Sequence, residues 1–191
     1  MTSELALKTD IKVIGVVGAG TMGHGISQVA LQSGLQVLLH DLEEVILNRA
    51  RERITAGLAK GVRRGKFGED EKTEMLKGLL LTVTMSNLSA ADFVIEAVTE
   101  DLAVKRTLFQ HLDGIVRPEV ILATNTSSLP ITKIAAATSR PTQVIGMHFF
   151  NPVPLMPLVE VVRGLVTADA TVTATVRLAE QLGKTPVEVR D

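Results

Sequence analysis

Short apolar runs alternate along this chain with longer segments in which apolar positions recur at helical spacing. The first run, residues 11–17, leads into a glycine cluster and a helix predicted over about residues 22–33. A second run, residues 36–40, completes a strand–helix–strand unit. Because the strands of a parallel sheet are buried on both faces, this rhythm predicts an α/β fold with a doubly wound, mostly parallel sheet.

A helical-hairpin insertion is predicted after the second strand. Helical spacing runs from residue 42 to 64, breaks at Gly65-Lys66-Phe67-Gly68 and resumes over 69–78, which indicates an arm of two helices over about 42–78. Further strands are predicted near residues 80–84, 92–96, 120–123, 144–148, 158–162 and 187–189, with helices near 101–115, after Pro130 and over 169–182. No linker divides the chain, so residues 1–191 are expected to form one domain.

Charge and composition exclude several classes of protein. Twenty Lys and Arg residues balance 21 Asp and Glu residues, so nothing favours binding to nucleic acid or to a membrane. The absence of cysteine excludes disulfides and thiolate chemistry, and no metal site is expected. The first ten residues lack the pattern of a signal or transit peptide, and no apolar run is long enough to span a bilayer. We therefore expect a cytoplasmic protein.

Three glycines follow the first strand in G-x-G-x-x-G spacing. Gly18 permits a tight turn, Gly20 lets a pyrophosphate approach the backbone, and Gly23 lets helix and strand pack closely. The N–H groups and positive dipole of the following helix would then bind the phosphates. This context is typical of a Rossmann-type dinucleotide-binding fold, although glycines also occur in ordinary strand–helix turns.

Asp41 ends the second strand, about twenty residues beyond the glycines, where a carboxylate accepts hydrogen bonds from the adenosine ribose. The same carboxylate would repel a 2′-phosphate, so the sequence favours NAD over NADP. Two alternatives stay open. Asp41 is also a suitable N-cap for the next helix, and an arginine from that helix can turn back toward a phosphate (Arg49, Arg51, Arg53).

Four segments in the same order, GVVGAGTMGHGI, VIEAVTEDLAVKRTLF, ATNTSSLPI and GMHFFNPVPLMPLVEVVRG, carry a resemblance to a known family. From residue 11 to residue 191 the chain resembles the 3-hydroxyacyl-CoA dehydrogenases, within them the 3-hydroxybutyryl-CoA type. The resemblance implies the N-terminal NAD-binding domain of an enzyme that interconverts 3-hydroxyacyl-CoA and 3-oxoacyl-CoA.

His148 is the candidate general acid and base. It stands at the carboxyl end of a predicted strand, the edge where such sheets bind ligands, and its imidazole titrates near neutrality. Glu160, twelve residues later, can fold back to hold the other ring nitrogen. In the family these two positions form the catalytic pair. Without the resemblance, a structural histidine and a surface carboxylate explain the same residues.

The polar run from Thr124 to Ser128 follows another strand at the same edge. By resemblance Ser127 hydrogen-bonds the reacting oxygen, whereas Ser127 or Ser128 can equally cap the short helix after Pro130. The resemblance further assigns Thr21, Met22, Glu100, Lys105 and Asn125 to the cofactor and Asn151 to the substrate. Glu100 as a plain helix cap and Lys105 as a solvated cation are the alternatives there.

A basic group borders the predicted turn of the helical arm (Lys60, Arg63, Arg64, Lys66). The family has a projecting arm there that meets CoA, so Lys60 and Lys66 are candidate phosphate ligands. A solvated helix terminus is the default explanation.

In the family a helical domain of about a hundred residues follows the strand that ends here in PVEVRD. It would carry a catalytic asparagine, much of the acyl-CoA pocket and the dimer surface. We therefore expect an isolated NAD-binding domain with little turnover, and a homodimer for the full-length protein. Two other functions stay open, namely another 3-hydroxyacid dehydrogenase acting on free acids and a non-catalytic dinucleotide-binding module.

Overall fold

An eight-stranded sheet passes through the centre of the molecule, in a computed structural model that describes residues 10–191. Its strands lie in the order β3-β2-β1-β4-β5-β6-β7-β8, and every neighbouring pair is parallel except β6 and β7. The strands are β1 (Val13–Val17), β2 (Gln36–His40), β3 (Leu79–Thr82), β4 (Phe93–Glu96), β5 (Ile121–Thr124), β6 (Val144–Phe149), β7 (Leu158–Arg163) and β8 (Thr185–Arg190). The doubly wound, mostly parallel sheet predicted from the apolar runs is thus confirmed.

Within residues 10–191, six α-helices cover the two faces of this sheet. They are α1 (Thr21–Gln32), α2 (Glu44–Arg63), α3 (Glu69–Lys77), α4 (Leu102–Ile115), α5 (Ile131–Ala135) and α6 (Asp169–Gln181). Residues of α1, α2 and α6 share one buried apolar cluster with the strands, and residues of α4 and α5 share a second. The two clusters account for the apolar runs of the central strands, since β1, β2, β4, β5 and β6 contribute residues to both.

The helical arm predicted after the second strand is formed by α2 and α3. Helix α2 has 20 residues, but α3 has only nine, so the second half of the arm is shorter than the first. The turn between them contains Gly65 at a φ of +68°, and the ring of Phe67 packs onto Gly61 of α2. Two 3₁₀ helices, Met85–Ala90 and Pro141–Gln143, were not anticipated from the sequence.

The antiparallel pair β6–β7 matters most for the site. Only eight residues join the two strands, which is too short for the crossover that parallel neighbours need. The chain therefore reverses directly, with a cis peptide bond between Asn151 and Pro152 in the connection. The resulting register places His148 opposite Glu160.

Residues 10–191 contain no helix that is both long enough and apolar enough to cross a membrane. The expectation that the chain starts without a leader peptide rests on residues that lie almost wholly outside the described range.

Candidate active site

The three glycines after β1 have three different environments. Gly18 has a φ of +97°, a conformation that L side chains rarely adopt, and a β-carbon there would lie 2.7 Å from the carbonyl oxygen of Ala97. A β-carbon on Gly23 would lie 1.7 Å from the carbonyl oxygen of Gly18. Gly20, in contrast, has no atom within 4 Å of that position. The loop therefore has one turn glycine, one packing glycine and one glycine with open space beside it.

Helix α1 begins directly after this open glycine. Gly20 is its N-cap, no side chain caps the first turn, and that turn carries no acidic residue. The first N–H groups of a helix have no partner within the helix, so an uncapped N-terminus attracts anions. Thr21 is exposed and Met22 is half-buried at this point. The arrangement suits a pyrophosphate, as the glycine spacing predicts.

Asp41 faces the glycine loop. Its Oδ2 accepts a hydrogen bond of 2.7 Å from the Ala19 N–H, and its Oδ1 accepts one of 2.8 Å from the Leu42 N–H. The N-cap of α2 is Glu43, so the alternative of Asp41 as a helix cap is wrong. None of Arg49, Arg51 and Arg53 lines the cleft beside Asp41.

That cleft, of about 740 Å³, extends along the carboxyl edge of the sheet from the glycine loop to α4. Its lining is largely apolar, with Asp41 at one side (Val17, Gly18, Gly20, Leu42, Ile46, Val98, Ala103, Val104, Leu108). Apolar walls with one carboxylate suit a flat aromatic base carried on a ribose. His148 and Glu160 do not line it, so the cleft fits the adenosine end of a dinucleotide rather than the reacting end.

His148 and Glu160 form a hydrogen-bonded pair. The Nδ1 of His148 lies 2.9 Å from Oε2 of Glu160, and the side chains are 17% and 36% exposed. Since a carboxylate can only accept, Nδ1 carries the proton and Nε2 is left for another partner. The ring of Phe150 lies 4.5 Å from the imidazole, tilted by 49°. The pairing expected from the sequence is present, and its geometry can hold and orient a proton-transferring imidazole.

Asn125 links β5 to the strand that carries His148. Its Oδ1 accepts a hydrogen bond of 2.9 Å from the Phe149 N–H, and its own N–H donates to the Glu96 carbonyl oxygen at 2.8 Å. The amide side chain is therefore already engaged at the residue next to His148, which places Asn125 beside the candidate acid–base pair.

Ser127 and Ser128 do not cap the short helix α5. Its N-cap is Pro130, and its first N–H groups, those of Ile131 and Thr132, donate to the carboxylate of Asp191 at 2.9 and 2.8 Å. The capping alternative is thus wrong. Ser127 is exposed, and its N–H donates to Glu100 at 3.1 Å.

The structure excludes the alternatives of a helix cap for Glu100 and a solvated cation for Lys105. The N-cap of α4 is Asp101, which accepts from the Val104 N–H at 3.0 Å, so Glu100 is not a cap. Lys105 is only 1% exposed, so it is not a solvated cation. Its Nζ lies 2.6 Å from Glu96 and 3.5 Å from Glu100.

Glu100 accepts hydrogen bonds from the polar loop. Burial raises the pKa of Glu100, but the Thr126 hydroxyl, the Lys105 charge and the Ser127 N–H together outweigh it, so the pKa lies below its usual value. Sequence reasoning missed Glu96 and included Thr126 only as a member of the polar run. The available signal was a glutamate ending an apolar run, nine residues before a lysine.

The candidate substrate residues lie on different elements of the fold. Asn151 is exposed in the β6–β7 connection, two residues beyond Phe149. The basic group is exposed at the end of α2 and in the following turn (Lys60, Arg63, Arg64, Lys66). None of these residues lines the cleft beside Asp41.

The fold and the glycine loop together define a dinucleotide-binding domain of the Rossmann type. Residues 13–191 match the family model described as 3-hydroxyacyl-CoA dehydrogenase, NAD binding domain, and the chain belongs to this family. NAD is accordingly its cofactor.

Individual relatives agree with this assignment. The chain is 47% identical over 182 residues to a probable 3-hydroxybutyryl-CoA dehydrogenase of Bacillus subtilis, covering 95% of this chain and 63% of the relative. The solved (S)-3-hydroxybutyryl-CoA dehydrogenase of Ralstonia eutropha is 43% identical with a TM-score of 0.93, covering 95% of this chain and 64% of that one. A solved Escherichia coli 3-hydroxybutyryl-CoA dehydrogenase is 45% identical with a TM-score of 0.92, covering 95% and 38%. The chain thus spans less than two thirds of the length of these relatives.

Proposed function

We propose that this chain is the NAD-binding part of an enzyme that interconverts 3-hydroxyacyl-CoA and 3-oxoacyl-CoA, with 3-hydroxybutyryl-CoA as the substrate that the relatives' names suggest. The observation that carries the proposal is the His148–Glu160 pair, at 2.9 Å, in a chain with a dinucleotide-binding loop. A binding module has no use for an oriented imidazole at that edge of the sheet.

The residues present fit the cofactor. The open space at Gly20 and the uncapped N-terminus of α1 accommodate a pyrophosphate, with Thr21 and Met22 in its first turn. Asp41 would accept hydrogen bonds from the hydroxyls of the adenosine ribose and would repel a 2′-phosphate. When bound, NAD would supply the acceptor for the hydride that leaves the substrate carbon.

His148 handles the proton. In the oxidation direction its Nε2 accepts the proton of the 3-hydroxyl, and in reduction the imidazolium returns a proton to the carbonyl oxygen. Glu160 holds Nδ1–H, which fixes the tautomer and stabilises the imidazolium. The chemistry therefore needs both side chains in register on β6 and β7.

We assign the remaining candidates around this pair. Ser127, exposed at the end of β5, would donate to the reacting oxygen, and Asn125 would face the nicotinamide end of the cofactor. Glu100 is 41% exposed and would also reach the nicotinamide end of the cofactor, and Lys105 would support Glu100 from the buried side. Asn151 would contact the acyl-CoA, and Lys60 and Lys66 its phosphates. A cytoplasmic homodimer stays a prediction from the sequence and the family resemblance.

The test uses the full-length protein with NADH and acetoacetyl-CoA. We expect His148→Asn to lower kcat by about 10²–10⁴-fold, while the Kd for NADH changes less than about twofold, because His148 does not line the adenosine cleft. Glu160→Gln should also lower kcat. Glu188→Gln is the matched control, since Glu188 is a carboxylate on the adjacent strand β8 that pairs with Arg163.

Two outcomes would contradict the proposal. Unchanged turnover in His148→Asn favours the non-catalytic module. Equal activity on free acetoacetate and on acetoacetyl-CoA favours another 3-hydroxyacid dehydrogenase.

A further inference from the structure

Glu96 is a fully buried carboxylate at the end of β4, with 0% exposure. Its Oε1 accepts from Lys105 Nζ at 2.6 Å and from the Val98 N–H at 2.7 Å, and its Oε2 accepts from the Thr124 hydroxyl at 2.6 Å. Neither the expected proton transfer nor the expected cofactor contacts use this carboxylate. Its three partners nevertheless come from three separate segments at the carboxyl edge of the sheet.

Lys105 is shared between two carboxylates. Its Nζ lies between the buried Glu96 and the partly exposed Glu100. Removing charges from water is unfavourable by several kcal/mol per ion, and buried ion pairs can often be replaced by apolar residues without loss of stability. Stability alone is thus a poor explanation for a buried charge group at this place.

The group continues into the polar loop that carries Ser127. Glu100 accepts from the Thr126 hydroxyl and from the Ser127 N–H. Thr126, only 3% exposed, also accepts from the Leu129 N–H at 3.0 Å. On the other side, the Thr124 hydroxyl held by Glu96 accepts from the Thr126 N–H at 3.3 Å. Glu96 therefore holds the loop at Thr124, where it starts, and Glu100 holds it at Thr126 and Ser127, in its middle.

We infer that Glu96 and Lys105 are positioning residues, which act through Glu100 and Thr126 to hold the loop from Thr124 to Ser128 and with it Ser127. Lys105 orients Glu100, and Glu100 binds the Thr126 hydroxyl and the Ser127 N–H. This inference rests on the proposed function for the role of Ser127 at the substrate oxygen. The placement of the loop itself rests only on the contacts of Glu96, Lys105 and Glu100.

An ion pair at the other end of β4 provides the control. Asp92 directly precedes β4 at the opposite edge of the sheet, is 6% exposed, and pairs with Arg117 at 2.8 Å. Its Oδ2 accepts from the Lys12 and Val13 N–H groups, far along the strand from the loop. Asp92→Asn and Glu96→Gln each neutralise a buried carboxylate at one end of β4, but only Glu96 touches the loop segment.

The experiment compares the wild type with Glu96→Gln, Asp92→Asn, Thr126→Val and Thr126→Ser in the full-length protein. It measures kcat and KM with NADH and acetoacetyl-CoA, the thermal midpoint, and hydrogen exchange of the amides of residues 126–129 without cofactor. We expect Glu96→Gln and Thr126→Val to lower kcat by about tenfold or more, as small displacements at a reacting centre do. The KM for NADH should stay within about twofold, because the side chains of Glu96 and Thr126 do not themselves line the adenosine cleft.

Hydrogen exchange distinguishes a residue that positions the loop from one that only stabilises the fold. Residues 126–129 should exchange faster in Glu96→Gln and in Thr126→Val, whereas Thr126→Ser keeps the hydroxyl and should restore both wild-type exchange and kcat. Asp92→Asn should lower the thermal midpoint and leave kcat and loop exchange unchanged.

The inference is overturned if kcat and loop exchange stay at wild-type values in Glu96→Gln, or if Thr126→Ser fails to restore what Thr126→Val loses. If Glu96→Gln does not fold, the Thr126 pair decides. A wild type without turnover would refute the proposed function, while the exchange data still decide whether the charge group holds the loop.

Discussion

The carbonyl oxygen of Gly18 lies 1.7 Å from the position that a β-carbon on Gly23 would occupy. The end of β1 and the first turn of α1 thus pack backbone against backbone, which no residue with a side chain permits at position 23. This contact brings the N-terminus of α1 to the edge of the sheet where the phosphates are expected.

We predict that Gly23→Ala lowers the stability of the fold and that Gly20→Ala weakens cofactor binding. Gly23→Ala should lower the free energy of unfolding by about 1–3 kcal/mol or more, as overpacking does. Gly20→Ala should leave the thermal midpoint unchanged, because nothing lies within 4 Å of its β-carbon, but should weaken NADH binding at least about tenfold, equal to about 1.4 kcal/mol. Calorimetry and fluorescence titration check both results.

Gly114→Ala in α4 is the matched control for these glycines. Its β-carbon also meets nothing within 4 Å, and it lies away from the loop, so NADH affinity should not change. Full NADH affinity in Gly20→Ala would contradict the assignment of Gly20 to the phosphates.

Cofactor choice should depend on Asp41. We predict that NADH binds at least about a hundredfold more tightly than NADPH, a difference of about 2.7 kcal/mol, because the carboxylate repels a 2′-phosphate. Asp41→Asn should reduce this preference, measured by titration with both coenzymes. Glu43→Gln, a carboxylate two residues later and outside the cleft, should leave it unchanged. Equal affinity for both coenzymes in the wild type would argue against the role of Asp41.

Lys184 should stabilise the β6–β7 connection. Its Nζ donates to the carbonyl oxygens of Val153 and Met156 at 2.5 and 2.9 Å, and burial lowers its pKa. Lys184→Met leaves both oxygens without this donor, so we predict a loss of about 1–3 kcal/mol in unfolding free energy and a higher KM for acetoacetyl-CoA, because Asn151 lies in the same connection. Lys133→Met, at an exposed lysine of α5, is the control. An unchanged midpoint in Lys184→Met would refute the prediction.

Acid should destabilise the fold through its hydrogen-bonded carboxylates. Burial raises the pKa values of Glu100, Asp113 and Asp191, but their hydrogen bonds outweigh it, with Lys105 and Arg140 adding to the effect for the first two, and each pKa lies below its ordinary value of 4.5 or 3.8. The unfolded chain therefore takes up protons first as the pH falls, so this stabilisation is complete above about pH 4.5 and is lost as the pH drops through the folded values. Urea unfolding between pH 3 and 7 measures it.

Asp113→Asn removes one of these groups, so its stability should fall less steeply in acid than that of the wild type. In the folded protein the Asp113 carboxylate accepts hydrogen bonds from the Ser139 N–H and from Arg140, and the substitution removes this charged acceptor. An identical acid dependence in both proteins would contradict the prediction.

Local pattern predicted most of the elements. The predicted strand over residues 36–40 matches β2 (Gln36–His40), and most other bounds lie within two residues of the observed ones. Apolar runs and glycine breaks are local signals, which explains this agreement. The 3₁₀ helix Met85–Ala90 was missed because six residues show no helical repeat.

Contacts between residues that are far apart in the sequence were not predicted. Asp191 was read only as the last residue of a strand, yet its carboxylate binds the N–H groups of Ile131 and Thr132, some sixty residues earlier. Lys105 was read as either a ligand or a solvated cation, and the structure buries it between two carboxylates. Such pairings depend on which strand ends lie side by side.

By itself the amino-acid sequence determined the α/β class, the glycine loop after β1 and the family, because each is written in residues close together along the chain. The register that sets His148 opposite Glu160, the burial of Glu96 and the turning of Asp41 toward Ala19 were decided by the tertiary structure. The physical reason is that a charged side chain acquires its partners and its solvent exposure only when distant segments pack around it.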